Sequence, residues 1–76
     1  MREKLNITFN NNICNKIEEY RKNTGASRTW ISEQIGISRQ SLSALEDSSN
    51  PTILMLIRVA IVLGCEVTDL FTFTID

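Results

Sequence analysis

The sequence is poor in the residues on which metal and acid–base chemistry depend. It contains no histidine, one proline, three glycines and two cysteines among its 76 residues. Without histidine, most zinc sites and most acid–base catalysis near neutral pH are excluded, so we expect neither an enzyme nor a metal site or cofactor. Cys14 and Cys65 lie far apart among apolar neighbours, which favours two small buried side chains over a disulfide.

Long apolar segments are also missing. The most apolar run, 53–63, is interrupted by Arg58 and is too short to cross a bilayer. No apolar stretch of signal-peptide length follows the polar residues 1–4. We therefore expect a cytoplasmic protein without a membrane partner.

An excess of positive charge is the third absence. The formal net charge is -1, whereas unspecific affinity for nucleic acid comes from clustered lysine and arginine. The charges are unevenly distributed, however, since Arg28 and Arg39 lie in the middle of the chain and Glu66, Asp69 and Asp76 near its end. A locally basic face can therefore coexist with a mildly acidic chain.

The most informative stretch is 27–46, SRTWISEQIGISRQSLSALE. Ile31 and Ile35 share one face of a first helix, and two leucines three residues apart share one face of a second. Between them, Gly36 supplies the permissive backbone of a sharp turn, and Ser38 can cap the second helix. The pattern predicts a helix-turn-helix.

Both ends of the chain alternate apolar and polar residues, LNITF at 5–9 and FTFTI at 71–75. This period of two predicts strands, and we expect them to pair antiparallel with their apolar side covered by helices or by a second chain. Apolar spacing and caps, including an asparagine from 10–12, predict five helices between them. The predicted single domain 1–76 thus has a strand at 5–9, helices at 12–24, 28–35, 39–47, 53–63 and 68–71, and a strand at 72–75.

The helix predicted at 53–63 is apolar on two sides. Its inward stripe should be Ile53, Leu56, Ala60 and Leu63. A second apolar side needs a cover, for which a partner chain is the economical candidate. We therefore predict a homodimer whose interface includes Leu54, Ile57, Ile61 and Phe73.

An ordered set of residues over roughly fifty positions links these elements. It comprises Arg21, Ser27, Ile31, Ile35-Gly36-Ile37-Ser38, Leu42, Leu45-Glu46, Pro51-Thr52, Leu56, Ala60, Leu63-Gly64 and Asp69-Leu70-Phe71. Through these residues, the stretch 17–71 resembles the lambda repressor and Cro type of DNA-binding domain, which is called the XRE family. The resemblance implies a mainly α, five-helix lambda-repressor-like fold, here with a terminal two-stranded ribbon. It also implies a transcriptional regulator, specifically a repressor, that binds a palindromic operator on double-stranded DNA as a homodimer, without a small-molecule ligand.

The second helix of such a motif enters the major groove. Opposite its leucines lie Gln40, Ser43, Ala44 and Asp47, with Arg39 on the flank. Glutamine can pair with adenine, arginine with guanine or phosphate, and an alanine methyl with a thymine methyl, although spacing alone equally allows a solvated face. With the resemblance, the DNA-binding residues are predicted to be Arg28, Ser38, Arg39, Gln40, Ser41, Ser43 and Ala44.

The resemblance adds two further roles. Arg28, where glutamine is usual, is placed to contact phosphate near a helix N-terminus. Arg21 and Glu46 occupy positions that the family joins as an ion pair between the first and third helices. Asp47, in a loop shorter than usual, would be repelled by DNA.

A protein-binding module is the alternative function. An antitoxin, or a partner that sequesters another regulator, would suit the near-neutral charge, Asp47 and the second apolar side of 53–63. Steep salt dependence of DNA binding would separate the two functions. Trp30, at the position of a capping-box glutamate, is expected to cover helix packing rather than to bind.

Overall fold

The protein is described here by a computed structural model that covers residues 4–76. The first three residues of the predicted domain, and most of its polar N-terminal segment, lie outside the described residues. The elements are β1 (Ile7–Asn11), α1 (Ile13–Thr24), α2 (Arg28–Ile35), α3 (Arg39–Asp47), α4 (Ile53–Leu63) and β2 (Phe71–Ile75). None of the helices within 4–76 has the length and hydropathy to span a membrane.

The mainly helical fold with one antiparallel ribbon is confirmed, but the predicted count of five helices is wrong. The segment expected to form the fifth helix is a three-residue 3-10 turn, Val67–Asp69. The Leu70 amide donates to the Val67 carbonyl, 3.0 Å away, and β2 begins at the next residue. Pairing with β1 therefore takes the chain out of helical geometry before an α-helical turn can form.

Side-chain caps begin three of the helices. The hydroxyls of Ser27, Ser38 and Thr52 each accept a hydrogen bond from a backbone amide three residues further on. α1 begins differently. The carboxamide oxygen of Asn11, and not that of Asn12, accepts a hydrogen bond from the backbone amide of Ile13, the first residue of α1. Asn12 thus occupies the N-cap position without a side-chain cap bond, and Asn11 is the asparagine of 10–12 whose side chain bonds to the start of α1.

The core lies between the four α-helices and the 3-10 turn. Its buried apolar side chains are Ile13, Ile17, Ile31, Ile35, Leu42, Leu45, Leu56, Val59, Ala60 and Leu70. Two sequence expectations fail here. Ile53 is 64% exposed, because Val59 and not Ile53 lies on the side of α4 that faces the other helices, and Cys14 is exposed on α1. Both cysteines are free, as expected, and Cys65 is half-buried.

The two ends of the chain form the predicted antiparallel ribbon. Ile7 pairs with Ile75, Phe9 with Phe73, and Asn11 with Phe71. β1 lies at 7–11 and not at 5–9, because this register gives each residue of β2 a partner up to the start of α1. The Phe9 and Phe71 rings stack with centroids 5.4 Å apart, while Phe73 and Ile75 remain exposed.

Candidate nucleic-acid interface

The outer face of α3 consists of the residues that the sequence predicts to read DNA. Leu42 and Leu45 are 1% and 9% exposed and fix this helix to the core. The residues of this helix that are predicted to contact DNA are all exposed, namely Arg39, Gln40, Ser41, Ser43 and Ala44. Asp47 is exposed as well. The helix therefore offers amide, hydroxyl, guanidinium and methyl groups on one solvent-facing surface.

The beginning of α3 is fixed by two serines. The Ser38 hydroxyl accepts from the Ser41 amide at 3.0 Å and donates to the Ser41 hydroxyl, also 3.0 Å away. Gly36, at φ 90°, lets the chain turn sharply after α2, and its amide donates to carbonyls of that helix. The serines therefore fix the first turn of α3, and Gly36 fixes the point at which the chain leaves α2.

Arg39 connects the two helices of the motif. Its Nη1 atom donates to the hydroxyl of Thr29, 3.1 Å away on α2. A guanidinium has five N–H donors, so this bond leaves others for a phosphate or a base. Arg39 can therefore act at the groove while Thr29, which the sequence did not single out, directs its side chain.

Arg28, the first residue of α2, connects this helix to α1 and α3. Its Nη1 atom donates to Glu46 of α3 at 2.5 Å, and its Nη2 atom donates to Glu18 of α1. The Glu46 side chain is only 9% exposed and that of Arg28 21%. The hydrogen bond with Glu46 raises the pKa of Arg28 above its ordinary value. We call this cluster of Arg28, Glu18 and Glu46 the arginine bracket.

The ion pair predicted between Arg21 and Glu46 does not form. Arg21 lies in the last turn of α1, where its Nη1 atom contacts Glu18 at 3.0 Å and its Nε atom donates to the Ala26 carbonyl. Arg28, at the start of α2, is the residue that reaches Glu46. Hydrogen bonds from Arg21 and then Arg28 lower the pKa of Glu18. The i, i+3 spacing of Glu18 and Arg21 is the sequence signal that would have identified Glu18.

The indole of Trp30 stacks on the Tyr20 ring of α1. The ring centroids are 6.4 Å apart and the planes differ by 9°. The Trp30 amide donates to the Ser27 hydroxyl, and the side chain is 41% exposed. Trp30 therefore covers the contact between α1 and α2 with one ring face and leaves part of the indole in solvent.

A second surface is apolar. One stripe of α4 is exposed along its length, with exposed fractions of 64% for Ile53, 59% for Leu54, 39% for Ile57 and 74% for Ile61. Phe73 of the ribbon is 56% exposed. The four residues predicted to form a dimer interface are thus all accessible in the single chain.

Three comparisons place the chain among known proteins. A helix-turn-helix family model matches residues 17–70. A helix-turn-helix-type transcriptional regulator of Methanothermobacter thermautotrophicus, itself uncharacterized, is 34% identical over 62 residues, which cover 79% of this chain and 90% of that protein. The crystal structure of SinR, the master regulator for biofilm formation, in complex with DNA is similar with a TM-score of 0.61 and 34% identity, and the match covers 74% of this chain and 92% of the chain in that structure. The chain belongs to the XRE-type helix-turn-helix family of transcriptional regulators.

Proposed function

We propose that the protein is a sequence-specific DNA-binding repressor that binds a palindromic operator as a homodimer. The observation that carries this proposal is the exposed face of α3, which combines Arg39, Gln40, Ser43 and Ala44 on a helix that Ser38 caps and that Arg39 joins to Thr29 of α2. The similarity to SinR, whose structure was determined in complex with DNA, supports DNA binding. Such a protein would act at the nucleoid in the cytoplasm.

Each exposed group on α3 fits a different part of a DNA site. The Gln40 carboxamide can pair with adenine, and Arg39 with guanine or with a phosphate beside the groove. The Ala44 methyl can contact a thymine methyl, and the Ser41 and Ser43 hydroxyls accept or donate to either strand. Ser38, at the N-terminus of α3, can contact a phosphate. Arg28 can contribute to phosphate binding through the donors that the arginine bracket leaves free.

The proposed homodimer supplies what one copy lacks. The chain carries a formal net charge of -1, so a single α3 with one free arginine binds few phosphates. A two-fold axis through the exposed stripe of α4 and Phe73 would bury this apolar surface and present α3 twice. The two helices would then lie about 34 Å apart, one turn of DNA.

Selection of bound duplexes from a random DNA pool tests the proposal. A two-fold symmetric motif with half-sites about one helical turn apart is the expected result. Gln40→Ala and Arg39→Ala should each weaken binding to the selected duplex by about 1–3 kcal/mol and relax the preference at one base pair per half-site. Asn23→Ala, at an exposed position of α1, is the control. Unchanged affinity and selectivity in both α3 variants would exclude the groove assignment.

A protein-binding function is the second candidate. The uncovered stripe of α4 and the engagement of Arg28 by two carboxylates favour it, because both suit a protein partner better than a polyanion. The dependence of binding to mixed DNA on salt concentration separates the two functions. A DNA-binding regulator should show a steep negative slope of log affinity against log salt, and an antitoxin-like or sequestering module only a shallow one.

A further inference from the structure

Asn11, the last residue of β1, makes three hydrogen bonds with its side chain. Its Oδ1 atom accepts from the Ile13 amide at 2.8 Å, which begins α1. Its Nδ2 atom donates to the Leu45 carbonyl at 2.9 Å and to the Ser48 carbonyl at 2.7 Å. One half-buried carboxamide thus connects the terminal ribbon, the start of α1 and the end of α3.

The end of α3 differs from the ends of the other helices. α1, α2 and α4 each end at a glycine in the left-handed conformation, whose amide donates back to the helix. α3 ends at Ser48, whose amide also donates back to the helix, at the Leu45 carbonyl, but whose backbone is extended at φ -71° and ψ 135°. The last carbonyls of a helix need partners from outside the helix. At α3, Asn11 provides two N–H donors from 34 and 37 residues away in the sequence.

These contacts fix more than the stability of one helix end. Arg39 joins the first turn of α3 to Thr29 of α2, and the Asn11 carboxamide joins its last turn to the ribbon and the start of α1. Ser43 and Ala44 lie between these two points on the exposed face. A change of a few degrees in the axis of α3 would move them relative to a base edge, and hydrogen bonds to bases are sensitive to such displacement.

We propose that Asn11 is a positioning residue for DNA reading, which sets the orientation of α3 by joining its C-terminal carbonyls to the ribbon. The proposal rests on the proposed function. It makes the ribbon part of the DNA-reading unit, since one carboxamide joins β1, the start of α1 and the end of α3.

Two substitutions separate the roles of the Asn11 side chain. Asn11→Asp has the same shape and retains the acceptor for the Ile13 amide, but it loses both donors. Asn11→Ser retains a side-chain turn with that amide without adding charge, but it is too short to reach α3. Asn10→Ser is the matched control, because the side chain of Asn10 lies on the opposite side of β1 and is exposed.

The experiment measures binding to the duplex that the wild-type chain selects and to a mixed duplex, at one salt concentration and at a temperature at which each variant is folded. Both Asn11 variants should lose about ten-fold in affinity for the selected duplex, which is the effect expected from the loss of two hydrogen bonds. Their affinity for the mixed duplex should fall by less than about two-fold. A purely stabilising role would lower the melting temperature and leave the ratio of the two affinities unchanged. That unchanged ratio would overturn the proposal.

Hydrogen exchange provides a readout that does not require DNA. In Asn11→Ser, the amides in the last turn of α3 should exchange about ten-fold faster relative to those of α4, since the end of the helix loses its external partners. Unchanged relative rates would overturn the proposal. In the wild-type chain, slow exchange of the Asn11 carboxamide protons is expected, and fast exchange would contradict the bonds to α3. If the wild-type chain selects no duplex, the proposed function fails, which these exchange measurements distinguish from a failure of Asn11 to hold α3.

Discussion

Removal of the cation from the arginine bracket should destabilise the fold by an amount that the geometry allows us to estimate. Arg28→Gln deletes a charge-assisted hydrogen bond of 2.5 Å to Glu46, worth about 1.5–3 kcal/mol. It also leaves a carboxylate that is only 9% exposed without its partner. The contact with the more exposed Glu18 adds little, because solvent screens it. We therefore expect Arg28→Gln to lower the free energy of unfolding by about 2–3 kcal/mol.

This loss is large for so small a chain. A domain of 76 residues has a free energy of unfolding of roughly 4–11 kcal/mol. Urea unfolding, followed by the fluorescence of the single tryptophan stacked on Tyr20, measures the change directly. Arg58→Gln, at an exposed position of α4, removes the same type of charge and should change the stability by less than about 0.5 kcal/mol.

A double-mutant cycle isolates the pair itself. Glu46→Gln should destabilise on its own, but Arg28→Gln with Glu46→Gln should cost less than the sum of the two single changes, with a coupling of about 1–2 kcal/mol. Zero coupling would refute the assignment of Arg28 as the residue that joins α2 to Glu46 of α3. The salt dependence of DNA binding tests the proposed phosphate contact of Arg28. In Arg28→Gln, loss of one phosphate contact should reduce the slope of log affinity against log salt by about one.

Three further predictions concern the surface and the titrating groups. Ile61 is 74% exposed, so Ile61→Glu should leave the melting temperature nearly unchanged but convert the proposed dimer to a monomer in sedimentation. The control Asn23→Glu, on α1, should remain a dimer. A dimer in both variants would exclude the stripe of α4 as the interface. A thiol reagent should label the exposed Cys14 much faster than Cys65, whose pKa is raised chiefly by burial, and equal rates in single serine variants would contradict this. Because its partners lower the pKa of Glu18, its contribution to stability should be present above about pH 4.5 and lost as the pH falls through the lowered value; an acid transition identical in Glu18→Gln would argue against it.

The helix-turn-helix was predictable because local patterns encode it. Isoleucine and leucine spacing gives the buried faces, and serine caps and Gly36 fix the ends of α2 and α3 through contacts within four residues. The alternation at the two termini likewise predicts a ribbon, since a period of two is a property of the strand itself. Local chemistry is sufficient where the partners of each group are close in the sequence.

Contacts between distant residues were not predictable in the same way. The bond from Asn11 to Leu45 spans 34 residues, and one of three consecutive asparagines makes it. The choice of Arg28 over Arg21 as the partner of Glu46 depends on how α1 and α2 cross, which periodicity does not give. Ile53 was assigned to the core of α4 and is exposed, because an apolar helix surface with two stripes does not reveal which of them faces inward.

The arginine bracket has a consequence for how the sequence of such a chain can change over time. Glu18, Arg28 and Glu46 lie on three different helices, and one guanidinium satisfies both carboxylates. A single exchange of Arg28 for an uncharged residue leaves a nearly buried carboxylate behind, so it should be tolerated only where Glu46 changes as well or where another cation, such as Arg21, reaches Glu46. Related chains are therefore expected to vary at positions 18, 28 and 46 as a group, and this co-variation would record the contact without any measurement on the protein itself.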